Sequence, residues 1–275
     1  MENKYSKWLL VSDIDGTLND KKMQLPENNR LAINDFVSRG GNFTLCSGRN
    51  LESLTIHYKK LGVMTPAIFL NGAGIYDFSS EKMLQYTPIT PEGEKIILDV
   101  IKSNKFLQLT VYSADKIYLA TRKCIYGYII SKMDKLSFEL CRRISDLPSG
   151  NWGKVTFFGP RSVVMKLQEN FKSEKYNKMF DCFLTSPFTL EVVKSGVNKG
   201  SAVKRLIEML GVEQFNTAAI GDYYNDVEML KAVGHSCCCG QAPEDIKEIC
   251  EYIACHCNDG AVADFINYLK TYYIK

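Results

Sequence analysis

Residues 8–18, Trp8-Leu9-Leu10-Val11-Ser12-Asp13-Ile14-Asp15-Gly16-Thr17-Leu18, constrain what this chain can fold into more than any other stretch. The apolar run has no polar alternation, the pattern of a short strand covered on both faces, as in a parallel sheet with helices above and below. It stops in two carboxylates one residue apart. On a strand, positions i and i+2 share a face, so Asp13 and Asp15 can point the same way while Ile14 packs elsewhere. Gly16 lets the backbone turn sharply straight afterwards. Two acids so placed repel each other and are costly to desolvate unless a cation or a shared proton lies between them. The carboxyl edge of an open α/β sheet is also where such folds bind ligands. A solvated turn uses the same residue types. An EF-hand calcium loop fits poorly, because Gln24 stands where its bidentate glutamate belongs.

The same arrangement recurs downstream. Pro26 opens a helical pattern with Leu31, Ile33, Phe36 and Val37 on its apolar face, and Gly40-Gly41 stop it. Phe43-Thr44-Leu45-Cys46 reads as a strand delivering Ser47-Gly48-Arg49. A helix over 51–61 carries Leu54, Tyr58 and Leu61, with His57 as an ordinary histidine. Ala67-Ile68-Phe69-Leu70 is a third strand, ending at Asn71-Gly72-Ala73-Gly74. This alternation predicts an α/β fold with a doubly wound parallel sheet.

From about Tyr86 the texture changes, and Pro88 and Pro91 bracket a linker. The following hundred or so residues read as a smaller α+β unit, giving a core of 1–85 and 188–275 with an insertion over 86–187. Strands are expected at 106–112, 117–120, 154–158 and 179–184, and helices at 93–101 and 163–171. The insertion is rich in Tyr and basic residues, including Tyr112, Tyr118, Arg122, Lys123, Tyr126 and Tyr128. These could meet a polar, anionic small molecule but read mostly as surface.

The core pattern is expected to return at Leu190-Glu191-Val192-Val193. Asn198 then caps a helix with Val203, Leu206, Ile207 and Leu210 inward. Lys199 in its first turn opposes the helix dipole by a few tenths of a kcal/mol or more. A cation beside free backbone N–H groups makes an anion site, although a solvated lysine is common there. Thr217-Ala218-Ala219-Ile220-Gly221-Asp222 is another buried strand ending in an acid, and Tyr223-Tyr224-Asn225-Asp226 starts the next helix. Four acids, one lysine and one serine thus gather at the strand ends of one sheet.

A formal charge of +3 on 275 residues is too small to imply a nucleic-acid partner. No apolar run reaches membrane-spanning length, and Asp13 interrupts any signal-peptide core, so a cytoplasmic protein without a membrane partner is expected. The ten cysteines then read as reduced, mostly buried small apolar residues. Zinc on Cys250, Cys255, His256 and Cys257 fits badly, because structural zinc sites pair their ligands across wider spacings.

Clustered carboxylates, a lysine and a small hydroxyl suit Mg2+ and a phosphate ester: magnesium prefers oxygen ligands and bridges carboxylates to phosphate. An aspartate is ionised at neutral pH and can attack phosphorus without an activating base, and phosphoryl transfer needs its equatorial oxygens neutralised. In order and at suitable spacing, Asp13-Ile14-Asp15-Gly16-Thr17-Leu18, Ser47-Gly48-Arg49, Asn71-Gly72-Ala73, Asn198-Lys199-Gly200 and Gly221-Asp222-Tyr223-Tyr224-Asn225-Asp226 resemble the motifs of the haloacid dehalogenase-like superfamily. The likeness is to its Cof-like phosphatases with a class IIB cap. Gly240-Gln241-Ala242-Pro243 and Asn258-Asp259-Gly260 extend it over nearly the whole chain.

The resemblance implies a Rossmann-like core with an inserted α+β cap, and hydrolysis of small phosphorylated metabolites, such as sugar phosphates or phosphorylated cofactors, through an aspartyl-phosphate. It gives Asp13 as nucleophile, Asp15 as acid and base, and Ser47 and Lys199 as phosphate-binding catalytic groups. Gly48, Arg49, Asn71, Gly72 and Asn225 would contact phosphate or substrate. Asp13, the Asp15 carbonyl and Asp222 would hold Mg2+, with Asp226 supporting the metal waters and Lys199. A monomer or weak homodimer is expected. A phosphomutase or phosphotransferase of the same superfamily is the alternative, and a non-catalytic metal-binding module a more distant one. Asn50 where proline is common, Gln241 where asparagine is frequent, and the triplet Cys237-Cys238-Cys239 depart from the family pattern.

Overall fold

The structure, a computed structural model, describes residues 4–120, 125, 128, 129 and 137–274. Arg122, Lys123, Cys124 and Tyr126 lie outside them.

The chain begins with β1 (Leu9–Ser12), α1 (Glu27–Ser38), β2 (Asn42–Leu45), α2 (Leu51–Leu61) and β3 (Ala67–Phe69). A hairpin of β4 (Gly74–Asp77) and β5 (Lys82–Tyr86) follows. The insertion carries α3 (Pro91–Ser103), β6 (Gln108–Tyr112), β7 (Ile117–Leu119), β8 (Glu139–Leu140), β9 (Lys154–Phe158), α4 (Arg161–Lys172), β10 (Phe180–Ser186) and β11 (Thr189–Lys194). The chain closes with α5 (Lys199–Leu210), β12 (Thr217–Gly221), α6 (Val227–Leu230), β13 (His235–Cys238), α7 (Glu244–Lys247), β14 (Tyr252–Ile253) and α8 (Ala261–Tyr272).

The main sheet is parallel, in the order β14-β13-β12-β1-β2, and a parallel bridge between Cys46 and Ile68 brings β3 to its edge. Every residue of β1 is buried. Leu10 enters one core with Ile33 and Phe36 of α1, Leu54 of α2 and Phe265 of α8; Leu9 and Val11 enter another with Val203 and Leu206 of α5 and Met229 of α6. Helices on both faces are why the strand shows no polar alternation. Each such side chain contributes about 1.5–3 kcal/mol on burial. Cys237 and Cys238 of β13 and Cys239 just after it follow the same rule: the first and third join one core and the second the other.

The second sheet, in the order β10-β11-β9-β6-β7-β8, is antiparallel except where β7 meets β8. One face packs Leu109, Val111, Val155 and Phe157 against Ile97 and Ile101 of α3 and Val164, Leu167 and Phe171 of α4. The other face looks toward the main sheet's carboxyl edge. Here the structure corrects the sequence reading: Leu190-Glu191-Val192-Val193 is not the first strand of the returning core but lies inside the second sheet, between β10 and β9. Leu190 and Val192 enter the insertion's core while Val193 enters the main one, so β11 is apolar on both sides and imitates a parallel-core strand. β5 (Lys82-Met83-Leu84-Gln85-Tyr86) carries only the exposed two-residue apolar run Met83-Leu84 and shows no regular alternation, which is why the β4–β5 hairpin was not expected. Among the described residues no helix is long and apolar enough to cross a membrane.

Candidate active site

The Asp13 N–H donates to the Ile220 carbonyl at 3.0 Å, tying the end of β1 to β12, and its carboxylate is buried. Ile14 turns into the main core, as the i, i+2 pattern requires. Gly16 holds φ +79°, and a Cβ there would stand 2.4 Å from Asp222 Oδ2. Only glycine permits both the left-handed turn and the approach of that carboxylate. Gln241 pins the turn: its Nε2 donates to the Gly16 carbonyl at 2.5 Å and its Oε1 accepts from the Cys257 N–H at 3.0 Å. The departure from asparagine is therefore absorbed locally.

Lys199 is the buried cation of the site. Asn198 caps α5 by accepting from the Ser201 N–H at 2.8 Å, which sets Lys199 as the first helical residue. Its Nζ lies 2.6 Å from Asp13 Oδ1 and 2.6 Å from Asp226 Oδ1. The other oxygen of Asp226 accepts the N–H groups of Asp222 (2.9 Å) and Tyr223 (3.1 Å). Asp226 thus joins the lysine to the loop after β12. Thr17 Oγ1 donates to Asp222 Oδ1 at 3.2 Å.

Burial pushes the Asp13 carboxyl well above the usual carboxylate range; Lys199 opposes that, and Asp226, Asp222 and Asp15 add to it. Burial, followed by the charge of Asp226, raises Asp222 to about 7. Burial works against the Lys199 ammonium, but Asp13 and Asp226 outweigh it and its pKa stands above the ordinary lysine value. Oxygens of Asp13, Asp222 and Asp226 all lie within 4.8 Å of one another. An all-oxygen donor set in which burial disfavours the ionised forms of Asp13 and Asp222 suits a hard divalent cation.

Asp15 points from the same edge toward Arg49, whose Nε and Nη2 meet its two oxygens at 2.8 and 2.7 Å. Arg49 Nη1 donates to Ser53 Oγ at 2.7 Å. Ser47 is buried, and its Oγ accepts the Arg49 N–H at 3.2 Å. Asp13, Asp15, Ser47, Gly48, Arg49, Asp222 and Asn225 all line one cavity of about 360 Å3. Lys199 and Asp226 sit beneath it. Asn71 and Gly72 do not line it: Asn71 Nδ2 donates to Glu191 at 2.5 Å, and Gly72 packs against the Asn198 carbonyl, which a Cβ would approach to 2.3 Å.

Of the opposite wall the sequence singled out only Tyr112. Tyr112, Ile117, Lys154, Thr156, Thr185 and Glu191 line the cavity from the second sheet. Register explains the grouping: Ile117, Tyr112 and Lys154 lie across one row of β7, β6 and β9, and Thr156 pairs with Glu191 in the next. Thr156 Oγ1 is buried with no hydrogen-bond partner among the described residues. The signal was Lys154 and Thr156 alternating with the apolar Val155 and Phe157.

The sequence model of the haloacid dehalogenase-like hydrolase family matches residues 10–266. An HMP-PP phosphatase of Serratia proteamaculans is 27% identical over 97% of this chain and 97% of its own. A 5-amino-6-(5-phospho-D-ribitylamino)uracil phosphatase of Bacillus subtilis is 25% identical, covering 94% of this chain and 97% of its own. A solved subclass IIB sugar phosphatase of the superfamily superposes with a TM-score of 0.83 at 18% identity, covering 98% of this chain and all of its own. The chain, with its parallel sheet, inserted second sheet and strand-end carboxylates, belongs to the haloacid dehalogenase-like hydrolase family.

Proposed function

We propose that this protein is a Mg2+-dependent phosphatase of small phosphorylated metabolites that works through an aspartyl-phosphate on Asp13. The observation that carries this reading is the Asp13 carboxylate itself, buried at a strand end, held on Lys199 at 2.6 Å and lining a cavity shared with Asp15, Ser47 and Asn225. The cavity's volume lies near the small end of the roughly 300–1,000 Å3 range of small-molecule sites. The names of the two curated relatives, both phosphatases of small phosphorylated compounds, support the substrate class.

Asp13 attacks phosphorus, and the bond from phosphorus to the alcohol oxygen breaks. The alcohol leaves with a proton from Asp15. Water then adds to the aspartyl-phosphate, Asp15 takes its proton, and inorganic phosphate departs. Lys199 fixes the nucleophile's orientation and, with the Ser47 hydroxyl, offsets charge on the transferring group. Asp15 must release part of its Arg49 fork to reach the leaving oxygen. A divalent cation held by Asp13, Asp222 and the Asp15 carbonyl would supply neutralisation of the phosphoryl oxygens. A panel of phosphorylated metabolites tests the reading. Phosphate release that needs Mg2+ and stops with chelator is expected; no release from any ester would contradict it.

A further inference from the structure

Two charged side chains of the second sheet reach the main sheet next to the phosphate-binding residues. Lys154 on β9 donates to Glu191 Oε1 on β11 at 2.5 Å and to the Gly48 carbonyl at 2.6 Å. Glu191 Oε2 accepts from Asn71 Nδ2 at 2.5 Å. The side chains are only 4% and 13% exposed. An ion pair this buried incurs a desolvation cost that the pair alone does not recover, so its remaining hydrogen bonds matter. Here those bonds are made across the seam, to the main sheet.

Both arms end on one segment. Gly48 lies between Ser47 and Arg49, and the Asn71 N–H donates to the Ser47 carbonyl at 3.0 Å. One arm therefore holds residues 47–49 directly and the other through Asn71. That segment carries the Ser47 hydroxyl and the guanidinium gripping Asp15. Local backbone agrees with this role. A Cβ on Gly48 would stand 2.8 Å from Asn71 Oδ1 and 3.3 Å from Glu191 Oε2, so the contact requires glycine. Asn71 holds φ +56°, a left-handed conformation that asparagine visits more readily than most side-chain-bearing residues.

We propose that Lys154 and Glu191 are positioning residues: their ion pair sets the Ser47–Arg49 segment in its phosphate-gripping arrangement when the inserted unit is seated. The inference rests on the phosphatase reading and deepens it. Closure and assembly of the phosphate grip become one event, and loss of the pair weakens the handling of phosphate whatever the leaving group.

Lys154→Met and the charge-neutral double variant Lys154→Met/Glu191→Gln test this, the second leaving no lone buried charge. Both are compared with the native protein on p-nitrophenyl phosphate, with inorganic phosphate as inhibitor and thermal unfolding alongside. Each variant is expected to lose roughly 10- to 100-fold in kcat, the scale of a misplaced catalytic group, and to bind phosphate more weakly. Lys154→Arg, which keeps both donors, recovers part of the loss. A lower Tm with unchanged phosphate inhibition would reduce the pair to packing and overturn the proposal. So would a loss confined to KM for esters with polar leaving groups. If the native protein hydrolyses no ester, the phosphatase reading fails by itself. Calorimetric titration with inorganic phosphate then decides the positioning role: weaker binding by the variants upholds it and equal binding overturns it.

Discussion

The Lys199 ammonium sits 2.6 Å from Asp13 Oδ1, although the two residues are 186 positions apart in the chain. Its second bond, to Asp226 Oδ1, is equally short, so one cation bridges the ends of two neighbouring parallel strands. The lysine is therefore both part of the site and part of what holds the site's acids together.

Lys199→Met should show both roles. In the proposed reaction, losing a preorganised charge at the phosphoryl group is expected to lower kcat by about 10²–10³-fold. The change also strands two buried carboxylates, costing about 3–5 kcal/mol when they are ionised. Urea unfolding at pH 8 and pH 5 separates the effects: the destabilisation is expected to be smaller at pH 5, because burial raises the Asp13 carboxyl and favours its neutral form as pH falls.

The raised acids predict how the metal-free protein responds to pH. Asp222 titrates at about 7 when folded, above the usual carboxylate value when unfolded. Between those values the folded state holds the extra proton, so stability falls as pH rises toward 7 and levels off above it. A cation must displace that proton. Mg2+ affinity should therefore climb as pH rises through 7, with the Mg2+-induced rise in Tm larger at pH 8 than at pH 5. Titrating Tm against Mg2+ at several pH values checks both slopes.

Thr156 offers a buried hydroxyl to whatever fills the cavity from the second sheet. Thr156→Val should raise KM for a metabolite with a polar leaving group by a factor of about 2–12, the worth of one hydrogen bond of 0.5–1.5 kcal/mol. KM for p-nitrophenyl phosphate should not move. Paired steady-state measurements on the two substrates decide it.

The main sheet was legible in the sequence for a physical reason. Strands buried on both faces, such as Leu9–Ser12 and Thr217–Gly221, read as unbroken apolar runs, and the acids that end them stand out by contrast. The second sheet has one face turned to a cavity, so Lys154 and Thr156 look like ordinary solvent-side residues. Nothing local distinguishes a polar face over a site from one over water. Glu191 was read as part of a core strand because β11 is apolar on both sides of it. Lys199 stood out in the sequence because a cation at a helix start is unfavourable locally; in the structure the carboxylates of Asp13 and Asp226 offset it.

The proposed covalent step on Asp13 is tested most directly by acid-quenching the protein during turnover with Mg2+ and mapping the phosphoryl group by peptide mass spectrometry. The expected result is one phosphoryl group on the peptide containing Asp13, absent from a folded Asp13→Asn variant that has also lost turnover. A phosphoryl group on another residue, or full turnover by Asp13→Asn, would contradict it.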